Sequence, residues 1–193
     1  MAQPLRNKIK GTIKKFINLD FAVENRSVVN RIAGKMTKKD EEFMRRAISL
    51  AQAGIDTNAG GPFGAIVVKN GEIVGEGCNQ VTSTDDPTAH AEVVAIRNAC
   101  RRLGSFQLDD CVLYTSCEPC PMCLGAIYWA RPKQVFFACT REDAAKVGFD
   151  DQFIYEEIQR PIEERHIKST NFLRDDGLTV FDNWENKADK AEY

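Results

Sequence analysis

The chain has 193 residues, 43% hydrophobic and 28% charged, with a formal net charge of −2. That is enough apolar material for one domain with a sizeable core, and it excludes an intrinsically disordered or fibrous chain. No apolar run approaches the ~20 residues of a membrane span and no secretory signal is present, so a cytoplasmic protein is expected.

Seven cysteines are an odd count. With two of them candidate metal ligands, a disulfide framework is not expected. Cys78, Cys100, Cys111, Cys117 and Cys139 read as small buried residues in a reducing compartment. The charge is uneven: residues 1–40 carry +7 and the remainder −9. An acidic main body disfavours a polyanionic partner such as tRNA, whose binding relies on neutralised phosphates.

In chain order, residues 1–36 form a basic extension and residues 37–193 one domain. In the extension, Ile9, Ile13, Phe16 and Ile17 share a helical face among Lys8, Lys10, Lys14 and Lys15. That pattern suits a membrane-surface or targeting helix, a poorly ordered basic tail, or upstream sequence before a start at Met36. An amphipathic helix is expected over 40–53, from Phe43, Met44, Ala47, Ile48 and Ala51. A hairpin over 65–75 follows, turning at Asn70-Gly71. Helices are expected at 89–103 and 120–129, with buried strands at 111–115 and 134–138. A short helix at 141–146, mostly loop with room for a turn of helix over 148–164, a last strand at 167–173 and a helix at 179–191 complete the reading. This order predicts an α/β fold: a three-layer α/β/α sandwich on a mixed, mostly parallel five-stranded sheet.

Two motifs carry chemistry. His90-Ala91-Glu92 opens one helix, and Glu118-Pro119-Cys120-Pro121-Met122-Cys123 opens the other. One imidazole and two thiolates supply three ligands and leave the fourth corner of a zinc tetrahedron for water. Glu92, two residues from the histidine, can then move protons. On a helix starting at Pro119, Cys120 and Cys123 would share a face. A closed structural zinc site needs a fourth protein ligand, and the other histidine, His166, stands far off in sequence. A redox Cys-x-x-Cys would leave His90 and Glu92 unexplained.

Hairpin, His-x-Glu, strand and Pro-Cys-x-x-Cys in this order resemble the cytidine deaminase superfamily of zinc nucleobase deaminases. Three more stretches, Gly60-Gly61-Pro62-Phe63-Gly64-Ala65, Asp86-Pro87-Thr88-Ala89 and Gly148-Phe149-Asp150-Asp151, narrow the likeness. With the chain's end at Tyr193, they resemble the small bacterial guanine deaminases over residues 37–193. The resemblance implies one zinc per subunit on His90, Cys120 and Cys123, with Glu92 as proton shuttle. It implies that Asn79 bonds the purine ring, Asp151 accepts from guanine's amidine edge, and Phe63 stacks on the base. Trp129 would wall the site, and Tyr193 would close it. It implies homodimers that exchange their C-terminal segments, with no stable nucleic-acid partner. The reaction expected is hydrolysis of guanine to xanthine and ammonia; guanosine, or adenosine in tRNA, is the alternative. From the residues alone, Asn79 is equally a turn residue, Phe63 and Trp129 core residues, and Asp151 a helix cap or solvated carboxylate.

Overall fold

The computed structural model describes residues 36–191. The basic extension before residue 36 and Tyr193 lie outside the described residues. From Glu42 onward the chain forms one compact unit. It is an α/β fold around an open, mixed, four-stranded sheet.

Helix α1, Lys38–Asp56, precedes the hairpin of β1, Gly64–Lys69, and β2, Glu72–Cys78. Asn70 and Gly71 both have positive φ, 51° and 79°, as a two-residue hairpin turn requires. A single turn, α2, spans Val81–Thr84. Then come α3, Ala91–Leu103, β3, Cys111–Cys117, α4, Pro121–Ala130, and β4, Gln134–Cys139. Helices α5, Arg141–Lys146, and α6, Gln152–Gln159, lead through a 3-10 turn at Ile162–Glu164 to α7, Arg174–Glu185.

The strand order is β2-β1-β3-β4. Strand β1 is antiparallel to both neighbours, and β3 is parallel to β4. Strands β2, β3 and β4 therefore run the same way. The expected same-direction crossover exists, but β1 lies between its two strands, so only one ladder is parallel. A "mostly parallel" sheet is corrected on this point. The pattern of apolar residues could not order the strands, because Ala65 to Val68 are buried on both faces.

The fifth strand is also corrected: residues 167–173 form no strand. Ile167 is 79% and Phe172 82% exposed. A strand needs a neighbour for its N–H and C=O groups, and none lies alongside this run. The stretch over 148–164 holds the eight-residue helix α6 instead of mostly loop. Helix α7 begins at Arg174, with Asp175 and Asp176 in its first turn, rather than at Thr179. Cys139 is exposed, not buried.

Two apolar clusters hold the sheet. On one face Ala65, Val67 and Leu113 pack against Ala91, Ala95 and Ala99 of α3 and Ile127 of α4. On the other, Ile66, Val68 and Tyr114 pack against Ala47 and Phe43 of α1. Leu113 is fully buried, and truncating it to alanine would cost about 2–5 kcal/mol. Helix α3 lies very close to β2: a Cβ at Gly77 would sit 2.5 Å from the Ala91 carbonyl oxygen. Glycine there lets the first turn of α3 settle on the sheet, which fixes where His90 and Glu92 project. No helix among the described residues is long and apolar enough to cross a membrane.

Candidate active site

Both metal motifs sit at helix starts, the first helix beginning two residues and the second one residue later than the sequence expectation. His90 and Cys120 are N-cap residues with extended backbone, and their helices begin at Ala91 and Pro121. Pro121, not Pro119, holds the first helical position, where its missing N–H costs nothing. An N-cap side chain usually folds back onto its own helix, and neither does so here. They turn toward each other instead. Cys120 Sγ lies 3.5 Å and Cys123 Sγ 3.4 Å from His90 Nδ1. Tetrahedral zinc with ordinary Zn–N and Zn–S bonds would separate nitrogen and sulfur by about 3.5 Å. The three ligand atoms fit that ion, all within 4.8 Å of one another.

The cluster's electrostatics are those of a site prepared for a cation. Cys120 is held down at about 4, first by the hydrogen bond from Cys123 and also by His90. Cys123 is driven strongly upward by its bond to the Cys120 sulfur and by burial. His90 is raised by its bond to Cys120. One negative charge thus sits among three ligands, and a divalent cation replaces the remaining protons. Beside them Glu92 is buried, and desolvation raises its carboxyl above the usual range. Its Oε1 accepts from Thr115 Oγ1 at 3.2 Å and its Oε2 from Cys123 Sγ at 3.5 Å.

These groups open into a cavity of about 700 Å³, a usual size for small-molecule sites. Asn79, Phe63 and Asp151 line it with His90, Glu92 and Cys120. Asn79 Oδ1 accepts from Gly61 N at 3.1 Å and Val81 N at 3.2 Å, so its amide nitrogen is the end that can serve a ligand. A Cβ at Gly60 would meet Asn79 Oδ1 at 2.2 Å, so glycine is required beside it. Phe63 meets Phe149 edge-on at 4.9 Å.

Asp151 is the N-cap of α6 but makes no cap bond with its side chain. Asp150 Oδ1 accepts from Gln152 N at 2.9 Å instead. The capping role therefore falls to Asp150, and the Asp151 carboxylate faces the cavity, raised by burial and by the nearby Cys120 charge.

Trp129 is placed elsewhere. It is 65% exposed and lines a separate cavity with Ile96, Phe106 and Trp184. Helix α4 is apolar around its whole circumference, so hydropathy does not separate its faces; Trp129 lies off the face that Cys123, Ile127 and Ala130 bury. Phe149, Glu118 and Arg141 line the cavity without having been singled out for it. Adjacency to Asp150-Asp151 was the available signal for Phe149, and adjacency to Cys120 for Glu118. Thr115 had no signal, because every position from Leu113 to Cys117 of β3 is buried.

Residues 37–139 match the family model described as the cytidine and deoxycytidylate deaminase zinc-binding region. The chain belongs to this deaminase family. Within the family, it is 60% identical over 153 residues to guanine deaminase of Bacillus subtilis (strain 168), spanning 79% of this chain and 98% of that one. The X-ray structure of guanine deaminase from Bacillus subtilis superposes with a TM-score of 0.78 at 58% identity, covering 82% of this chain and 99% of that chain. A guanine deaminase structure from Nitrosomonas europaea gives a TM-score of 0.56 at 29% identity, covering 76% and 84%. A tRNA-specific adenosine deaminase of Aquifex aeolicus (strain VF5) is 49% identical over 77 residues, 40% of this chain and 51% of that one. The deaminase family thus accounts for the metal motifs, and the similarity to the Bacillus subtilis guanine deaminase extends over 79% of this chain.

Proposed function

We propose that this chain is a zinc-dependent guanine deaminase that hydrolyses guanine to xanthine and ammonia. The observation that carries the reading is the Asp151 carboxylate, which does not cap its helix, lining the same cavity as His90, Cys120 and Glu92. It is supported by 60% identity to a guanine deaminase along almost that enzyme's whole length. Ammonia release from guanine by the purified chain tests it.

His90, Cys120 and Cys123 would hold the zinc. When bound, zinc supplies a Lewis acid that makes water nucleophilic near neutral pH. Glu92 takes the proton from the water that attacks C2. It delivers that proton to ring N3, then takes the second proton from the new C2 hydroxyl and passes it to the departing 2-amino group, which leaves as ammonia. Asp151 accepts from N1–H and the 2-amino group, Asn79 donates from its amide nitrogen to a ring acceptor, and Phe63 packs on the base. Adenine has neither N1–H nor a 2-amino group and would leave Asp151 unpaired. Asp151→Asn is expected to lower kcat/KM for guanine at least tenfold, the equivalent of about 1–3 kcal/mol, with zinc retained. Unchanged kcat/KM in Asp151→Asn and Asp151→Ala would move base recognition to other residues.

The same reading takes the fold as a three-layer sandwich, supported by helices on both sheet faces. It takes residues 37–193 as the deaminase domain and 1–36 as an extension, and it places the protein in the cytoplasm, where Cys120 and Cys123 stay reduced. It also includes a homodimer with exchanged C-terminal segments. Phe172, Val180 and Phe181 are 82%, 64% and 70% exposed, an apolar surface suited to a second copy. Trp129 would belong to that surface and Tyr193 to the partner's site. A mixed dimer of a Glu92→Gln chain with a chain lacking residues 190–193 is expected to regain activity in part. The tail-deleted chain's intact site then receives a tail from its neighbour. No recovery on mixing would exclude the exchange.

A further inference from the structure

Glu92 has two side-chain donors among the described residues, Thr115 Oγ1 on Oε1 at 3.2 Å and Cys123 Sγ on Oε2 at 3.5 Å. The second cannot persist in the zinc-loaded protein, because a metal-bound thiolate has no proton to give. Thr115 is then the side-chain donor that remains, beside the backbone N–H of Glu92 itself.

Thr115 is 1% exposed and stands behind Glu92, outside the cavity lining. Its backbone is fixed from both sides, registered with Ala65 on β1 and Phe137 on β4. A β-branched side chain in a paired strand has little rotamer freedom. The last torsion of a glutamate, by contrast, is broad. We propose that Thr115 is a positioning residue whose hydroxyl sets the rotation of the Glu92 carboxylate, so that Oε2 faces the reacting centre. This rests on the deaminase reading only in taking Glu92 as the proton shuttle, and not on the choice of guanine.

The consequence is specific. Thr115 lies outside the cavity lining and bonds Glu92, so its loss should act on turnover and not on substrate affinity. Thr115→Val keeps the shape and the strand preference but removes the donor. Thr115→Ser keeps the donor but is smaller and less suited to a strand. A purely structural residue would tolerate valine better than serine. A positioning residue would show the reverse.

The test compares wild type, Thr115→Val and Thr115→Ser as zinc-loaded proteins, on whichever nucleobase the wild type deaminates. The expected result is a fall in kcat of about tenfold to a hundredfold for valine, with KM within about twofold. Zinc content should stay at one equivalent, and serine should restore most of the turnover. In a Glu92→Gln background, Thr115→Val should add little further loss, because the group it orients is already inactive. Wild-type kcat in Thr115→Val would overturn the proposal, as would equal losses in the valine and serine variants.

Discussion

Replacing Glu92 by glutamine is expected to lower guanine turnover about a hundredfold or more while leaving zinc in place. The substitution keeps the length of the side chain and an oxygen that can still accept from Thr115 Oγ1. What it removes is the ability to take a proton from water and hand it on. Glu92 is 5% exposed and lines the cavity beside His90, so no bulk solvent stands in for it. Steady-state ammonia release and the zinc content of the same preparation measure the two halves of the expectation. Near-normal turnover with metal retained would remove Glu92 from the reaction.

Cys123→Ala is expected to abolish activity by a different route, through loss of the metal. Cys123 is fully buried on α4, and its sulfur lies 3.4 Å from His90 Nδ1. With two protein ligands left, an open site should not retain zinc through purification. The sheet does not depend on this sulfur, so the far-ultraviolet circular dichroism should stay close to that of wild type. Zinc per subunit is the deciding quantity: about one in wild type, near zero in the variant. Full occupancy in Cys123→Ala would show that the ligand set is wrong.

The chemistry was more legible in the sequence than the architecture around it. His90, Cys120 and Cys123 meet because each lies at or just inside a helix start, and those starts are local signals: Asp86-Pro87 before one, Pro121 in the other. The later starts, by two residues at Ala91 and one at Pro121, have a local cause too. An N-cap residue reads as helical in an apolar pattern, yet its backbone is still extended. The order of strands was not legible, because pairing across β1 depends on contacts between distant segments and Ala65 to Val68 of β1 are apolar without alternation. The run from Ile167 to Leu173 has strand-like composition, but composition cannot supply a neighbouring edge. Asp151 was readable only through resemblance. Its freedom from capping depends on Asp150 taking the Gln152 N–H, which no spacing rule predicts.

Selection of guanine by the cavity is tested most simply by a panel of substrates. The purified, zinc-loaded chain is offered guanine, adenine, guanosine and unmodified tRNA separately, and ammonia release is followed for each. Guanine should yield xanthine and one ammonia, with kcat/KM above that for adenine by on the order of 10³-fold or more. Guanosine and tRNA should release little. Release from tRNA or guanosine with guanine left intact would contradict the assignment, and would mean that Asp151 and Asn79 face a different substrate.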